Sequence, residues 1–266
     1  MVSAKDIVVK PIKSAAANAL VKRIHYSGKV VQNSQLHFGV FLNGSLQGVM
    51  SFGPSMDKRK IQGLVEGTSW SGFIELNRMA FSDMLPRNSE SRAMSIAFKL
   101  IKKHYPHIEW VISFADGAQC GDGTIYRASG FVLTGITENK TLYLMPDGQR
   151  IAGMTLEANY NTEKVRNVSK AIGVEHKPRT RKQWKALGAS PIEGFMFRYI
   201  YFLNPEAKKR LTVPILPFSK IDEMGARMYK GVSYARTKQA NLSDQLERGG
   251  VTPTCTLQNA LIIREC

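Results

Sequence analysis

ELNRMAFSDMLPRNSESRAMSIAFKLIKKHYPHIEWVISFADGAQCGDGTIYRASGF, residues 75–131, is the stretch whose reading decides the fold. Its first seven residues alternate as a strand does, and 86–91 (PRNSES) make a polar turn. In 92–105, Ala93, Ile96, Ala97, Leu100 and Ile101 share one face at helical spacing. The apolar run 108–116 (IEWVISFAD) predicts a buried strand, and a short helix follows that ends at Gly130. Strand, helix and strand in that order predict an α/β fold. A helix amino terminus presents unsatisfied N–H groups and a partial positive charge, so residues 87–93 predict a cradle for the phosphates of a group donor.

Working outward, residues 7–12 (IVVKPI) read as a first strand, and Ser14 is placed to cap a helix carrying Ala17, Leu20, Val21 and Ile24. His25-Tyr26-Ser27-Gly28 stands where that helix ends. LHFGVFL and LQGVMSF meet through Asn43-Gly44, a hairpin signal because both turn positions favour positive φ. A Gly- and Ser-rich excursion, 54–72, precedes the central strand. Residues 132–136 and 141–145 alternate well enough to form a further strand pair, after which the patterning weakens and the core is expected to close. The expected organisation is a catalytic core over 1–150 and a basic, aromatic-rich extension over 151–266. Residues 231–266 read as loosely organised.

The chain has 266 residues, 43% hydrophobic, enough for a substantial core. Its net charge of +16, from 37 Lys and Arg against 21 Asp and Glu, predicts a polyanionic partner, with nucleic acid first. Residues 164–210 hold twelve Lys and Arg against three Glu, interleaved with Trp184, Phe195, Phe197, Tyr199, Tyr201 and Phe202. That mixture suits phosphate tracking with base stacking, through Lys177, Arg179, Arg181, Lys182 and Lys185, while FMFRYIYFL also alternates as a half-buried strand would. Cys120, Cys255 and Cys266 lack metal-ligand spacing and leave an odd thiol, as suits a reducing cytoplasm. His, Asp and Tyr can ligate iron, but no ligand spacing supports a metal. No secretion signal or membrane span is expected, and the protein is read as cytoplasmic.

The candidate site residues cluster around the opening stretch. Arg87 and Arg92 reinforce the phosphate cradle, and Ser91 serves either as helix cap or as phosphate donor. Arg78, a charge in an apolar strand, needs either Glu75 or an anionic ligand. Asp116 stands at the carboxyl end of a central strand, where sites in open α/β sheets gather, though it could also simply form the turn. Tyr126 lies on the short helix ten residues later and is placed to protonate a leaving group. His25 is either a helix-end partner or a member of the site.

The order strand, hairpin, strand, phosphate turn, helix, strand, then Tyr-x-x-x-Gly-Phe resembles the GNAT acyltransferase fold, a mixed sheet flanked by helices. HYSG (25–28), HFGVF (37–41), ELNRMAF (75–81), SFAD (113–116) and IYRASGF (125–131) together resemble the Mom DNA-modification family of Mu-like bacteriophages, over about residues 20–145. The resemblance implies transfer of an acetamido (carbamoylmethyl) group to the exocyclic amine of adenine in double-stranded DNA, in the host cytoplasm, as protection from restriction. It points to His25, Asp116 and Tyr126 as catalytic, and to Arg78 and Ser91 at the donor. Tyr26 and Phe38 would line the pocket for an extracted base.

The usual GNAT turn carries small residues that 87–92 lacks in that register, so acetyl coenzyme A and an activated glycine such as glycyl-tRNA both stand as donors. Two other classes remain. A GNAT enzyme acetylating a protein or small amine would not need the basic segment after Lys164, and a non-catalytic DNA-binding protein would not need Asp116 or Tyr126.

Overall fold

Asn43 and Gly44 hold φ of 50° and 78°, and this two-residue turn joins β2 (Leu36–Leu42) to β3 (Ser45–Gly53). The computed structural model describes residues 2–158, 162–229 and 232–233. Cys255, Cys266 and nearly all of the carboxyl-terminal stretch read as loosely organised lie outside the described residues. β1 (Val8–Pro11) adds to the free edge of β2, and α1 (Ser14–Ile24) buries Ala17, Leu20 and Val21 against Val49 and Ala80. Ser14 begins this helix but does not cap it: Lys13 is the N-cap and no side chain satisfies the first turn.

β4 (Phe73–Phe81) runs antiparallel to β3, and α3 (Ser89–His104) crosses over to β5 (Trp110–Asp116), which pairs parallel to β4. The helix starts three residues earlier than the sequence pattern suggests and buries Ala93, Met94, Ala97, Phe98 and Ile101. Ile96 and Leu100 are only half-buried, because Met94 and Phe98 take the centre of the face. The parallel pair is held at its base by Phe73 stacked on Trp110, with centroids 4.5 Å apart. Trp110 Nε1 donates to Thr68 Oγ1 at 3.0 Å. α2 (Lys58–Gln62) and the segment after it cover that face through Ile61, Leu64 and Val65.

After β5 come α4 (Thr124–Ala128) and β6 (Val132–Glu138), and here the sequence expectation fails. β6 does not pair with the next strand, β7 (Leu142–Leu144), which forms a separate three-stranded sheet with β8 (Arg150–Ala152) and β9 (Ser190–Ile192). The chain turns away at Asn139, whose Oδ1 accepts from the Thr141 N–H at 3.1 Å and hydroxyl at 2.6 Å. The edge of β6 is taken instead by β10 (Phe195–Phe202), which lies between β5 and β6. Among the described residues the main sheet therefore has seven strands in the order β1-β2-β3-β4-β5-β10-β6.

A central strand is buried on both faces, and that accounts for the run of apolar and aromatic residues in FMFRYIYF. Phe197, Tyr199 and Ile200 are buried in it, and Trp184 is buried elsewhere, so these aromatics are core and not base-stacking platforms. Between β6 and β10 the chain builds a small unit with α5 (Gly153–Glu157), α6 (Glu163–Ala171) and α7 (Arg181–Ala186) on the three-stranded sheet. Its own core contains Tyr143, Met145, Ile151, Leu156, Val165, Val168 and Trp184. The division expected at residue 150 thus falls inside this unit, and the sheet is not complete until β10 is added.

Candidate active site

β4 and β5 pair only from Phe73 to Glu75 and from Trp110 to Ile112, then part. β4 stays with β3 and β5 goes with β10, so a wedge opens between 76–81 and 113–116. At the parting β4 carries a bulge: Phe52 faces Leu76 and Ser51 faces Arg78, leaving Asn77 unpaired. An extra residue re-aims the side chains after it, and it brings Arg78 within electrostatic reach of Glu75. Arg78 Nη1 donates to the Asn77 carbonyl at 2.7 Å and Nε to the Lys29 carbonyl at 2.8 Å.

Glu75 is the site residue that the sequence pattern pointed to only as a partner for Arg78. Burial raises its carboxyl above the usual range, while Ser55, Asn77 and Arg78 beside it work in the opposite direction. A buried carboxyl whose hold on its proton is strengthened in this way suits general acid–base work. Its one sequence signal was a charge in an apolar strand.

α1 delivers the other wall. His25 is its C-cap, with its N–H on the Val21 carbonyl at 3.0 Å. His25 Nδ1 accepts from the Ser27 N–H at 3.2 Å, with the Ser27 hydroxyl at 2.8 Å, which leaves the ring proton on Nε2. Burial, with Arg78 nearby, lowers its pKa to about 4, so the ring is neutral at pH 7 and acts as a donor through Nε2. Tyr26 stacks on it at 4.2 Å. Tyr26 is 53% exposed, and its hydroxyl lies near Cys120 and Asp116. Burial first, then Cys120 and Asp116, hold that hydroxyl protonated. Phe38, by contrast, is buried in the core and lines no pocket.

Asp116 ends β5, and both its oxygens are engaged: Oδ1 accepts from the Ala118 N–H at 3.0 Å and Oδ2 from Gln119 Nε2 at 2.7 Å. It therefore shapes the turn and also stands beside Tyr26. Tyr126, 9% exposed, lies between Phe131 and Tyr199 with centroids 5.2 Å from each. Burial raises it to about 12, with Ser113 at its hydroxyl and Cys120 and Glu75 in its field. A phenol held protonated there suits the role of acid. α4 is anchored by buried Asp122, which accepts from Arg127 Nη2 at 3.0 Å, and by the Tyr199 hydroxyl donating to the Asp122 carbonyl. His25, Tyr26, Glu75, Arg78, Asp116, Cys120 and Tyr126 are thus brought together.

The turn expected to cradle a donor lies beyond the end of β4. Asn88 caps α3 at φ 69°, and Ser91 Oγ donates to the Asn88 carbonyl at 3.2 Å, so Ser91 is not the N-cap. Arg87 and Arg92 are exposed on either side of the first turn, and Glu90 lies within it. Of the cations expected to meet DNA, Arg179, Lys182 and Lys185 are exposed. Arg181 pairs with Glu157 at 2.8 Å, and Lys177 donates to the Ala158 and Thr155 carbonyls. An open hollow lined by Lys177, Arg179, Gln183 and Leu187 lies beside them. Among the described residues no His, Cys, Asp and Glu group is placed to hold a metal ion, and no helix is long and apolar enough to cross a membrane.

The chain is an α/β protein whose mixed sheet parts at its parallel pair, with carboxyl, imidazole, phenol and guanidinium groups gathered in the wedge. Residues 6–220 match the Mom protein family, and the chain belongs to that family. The methylcarbamoylase mom of Escherichia phage Mu is 36% identical over 215 residues, which cover 79% of this chain and 81% of that protein. Among solved structures, the ribosomal-protein-S18-alanine N-acetyltransferase of Escherichia coli aligns at TM-score 0.39 and 10% identity, over 74% of this chain and 94% of that one. A GNAT-family acetyltransferase of Streptococcus pneumoniae aligns at 0.38 and 10%, over 74% and 98%.

Proposed function

We propose that this protein modifies phage DNA by placing a carbamoylmethyl group on the N6 amine of adenine, and that the modified genome escapes host restriction. The observation that carries this reading is the gathering of Glu75, His25, Asp116 and Tyr126 around the wedge, with the open Tyr26 ring at its mouth. Family membership supports the chemistry, through the relative named methylcarbamoylase. The adenine amine is a weak nucleophile and is enclosed in a duplex, so the base must be drawn out and stacked, and Tyr26 offers the face for it. Asp116 and His25 Nε2–H then orient the amine, and Glu75 or Asp116 takes its proton as the new C–N bond forms. Tyr126 returns a proton to the departing thiolate or alkoxide.

An acyl donor fits the residues present: no side chain caps the first turn of α3, and the exposed Arg87 and Arg92 flank it, so its N–H groups would hold the donor's phosphates. Arg78 would face the carbonyl. The atoms of the product decide between donors. Acetyl transfer brings two carbons and no nitrogen, whereas a glycyl group brings both. After glycyl transfer the free amine attacks ring carbon C6 and closes a five-membered ring. Cleavage of the original C6–N6 bond then leaves a carbamoylmethyl amine, with the old N6 as its amide nitrogen. No oxidant or reductant is needed, and we therefore favour an activated glycine such as glycyl-tRNA over acetyl coenzyme A.

Plasmid DNA from cells expressing the protein, digested to nucleosides and weighed, should contain an adenosine heavier by a carbamoylmethyl group, absent with Asp116→Ala. Labelled glycine should enter it. Unmodified DNA beside soluble, folded protein in a phage-infected host would overturn the reading and favour acetylation of a protein or small amine.

A further inference from the structure

Lys29, Arg78 and Lys164 meet where the small unit leans on the wedge, and the hydrogen bonds they donate go to neutral oxygens. Lys29 Nζ donates to Thr155 Oγ1 at 3.0 Å, and the Lys29 carbonyl receives Arg78. Lys164 Nζ donates to the Arg150 carbonyl at 2.8 Å, and Arg150 Nη1 reaches the Ala118 carbonyl at 3.5 Å, two residues past Asp116. Lys29 thus comes from the His25–Tyr26 wall and Lys164 from the small unit on the Asp116 side. They are close enough that, after burial, Lys164 and then Arg78 hold the Lys29 ammonium below its ordinary value. Ion pairs among the described residues use other cations. Glu75 lies within reach of Arg78, but Lys29 and Lys164, like charges from two units, make no ion pair among the described residues, and their mutual repulsion is a cost that a bound anion would offset.

Both lysines are exposed at the rim, and Lys29 lies three residues from Tyr26. A nucleotide stacked on the open Tyr26 ring would carry its own phosphate toward that rim, whereas the donor's phosphates have a separate cradle at α3. We propose that Lys29 and Lys164, backed by Arg78, form a phosphate clamp on the DNA strand from which the target base is drawn. This rests on the DNA-modifying function proposed above and adds the residues that grip the strand.

The test is the binding of the full chain to labelled duplex DNA, by fluorescence anisotropy over a range of salt. Each neutralised phosphate contributes a slope of about 0.9 in log affinity against log salt. Lys29→Gln and Lys164→Gln, which keep a hydrogen-bonding side chain, should each make the slope shallower by about that amount. The double variant should lose twice as much, while Lys208→Gln, an exposed lysine elsewhere, leaves it unchanged. Lys29→Arg should retain the wild-type slope. Donor affinity, followed by calorimetry with glycyl-tRNA and with acetyl coenzyme A in separate titrations, should not change in any variant. An unaltered slope in the double variant overturns the clamp, and so does lost donor affinity with DNA binding intact, which would assign the cations to donor phosphates. If wild-type protein modifies DNA while the double variant keeps its slope, the clamp alone fails. If wild-type protein neither binds nor modifies DNA, the proposed function fails with it.

Discussion

Tyr126 packs its ring between Phe131 and Tyr199, so Tyr126→Phe keeps the packing and removes one hydroxyl. Rate should fall by about 10²-fold or more, as expected for a lost general acid. Stability should move by only about 1 kcal/mol, the contribution of one hydrogen bond. Single-turnover rates and thermal melting read the two separately. His25 gives a second prediction through pH. Its folded pKa of about 4 lies below the ordinary 6.5, so its contribution to stability is complete above pH 6.5 and is lost as pH falls toward 4. In melting temperature against pH, His25→Gln should flatten that limb. Glu75, raised by burial, acts oppositely: its contribution is complete below 4.5 and is lost as pH rises. At this scale the sequence revealed chemical type better than role. Asp116, Tyr126 and His25 stand out in it as titratable groups at element ends. That Glu75 joins them depends on a bulge at Asn77, which no residue pattern announces.

α4 is only five residues long, and what holds it in place lies outside it. Its N-cap, Gly123, sits at φ 84°, and a Cβ there would come within 2.8 Å of the Tyr199 ring. Gly123→Ala combines a left-handed backbone with this clash and should destabilise the protein by about 2 kcal/mol or more. Because Tyr126 follows three residues later, activity should fall further than Tm predicts, which parallel melting and modification assays would detect. The hairpin at Asn43-Gly44 was fully legible in the sequence, since its geometry is local. The helix after residue 88 was legible to within one turn. The partner of β6 was not, because pairing depends on which distant strand reaches that edge.

At the scale of the molecule, β10 decides what can stand alone. A chain cut after residue 150 would keep His25, Arg78, Asp116 and Tyr126 yet lose the strand that pairs β5 to β6 and the core residues Phe197 and Tyr199. It should show no cooperative melting and should bind a hydrophobic dye, whereas the full chain melts cooperatively. The small unit, with its own core, is carried as an insertion between neighbouring strands. The same topology sets a timetable for synthesis on the ribosome. At about 5–20 residues per second, the 86 residues from Asp116 to Phe202 take roughly 4–17 s to make. During that interval the outer edge of β5 has no partner and offers its backbone to any passing strand. The nascent chain thus depends on holding that edge apart, by chaperone or by the small unit folding first, until Met196 arrives opposite Asp116 and the wall of the wedge closes.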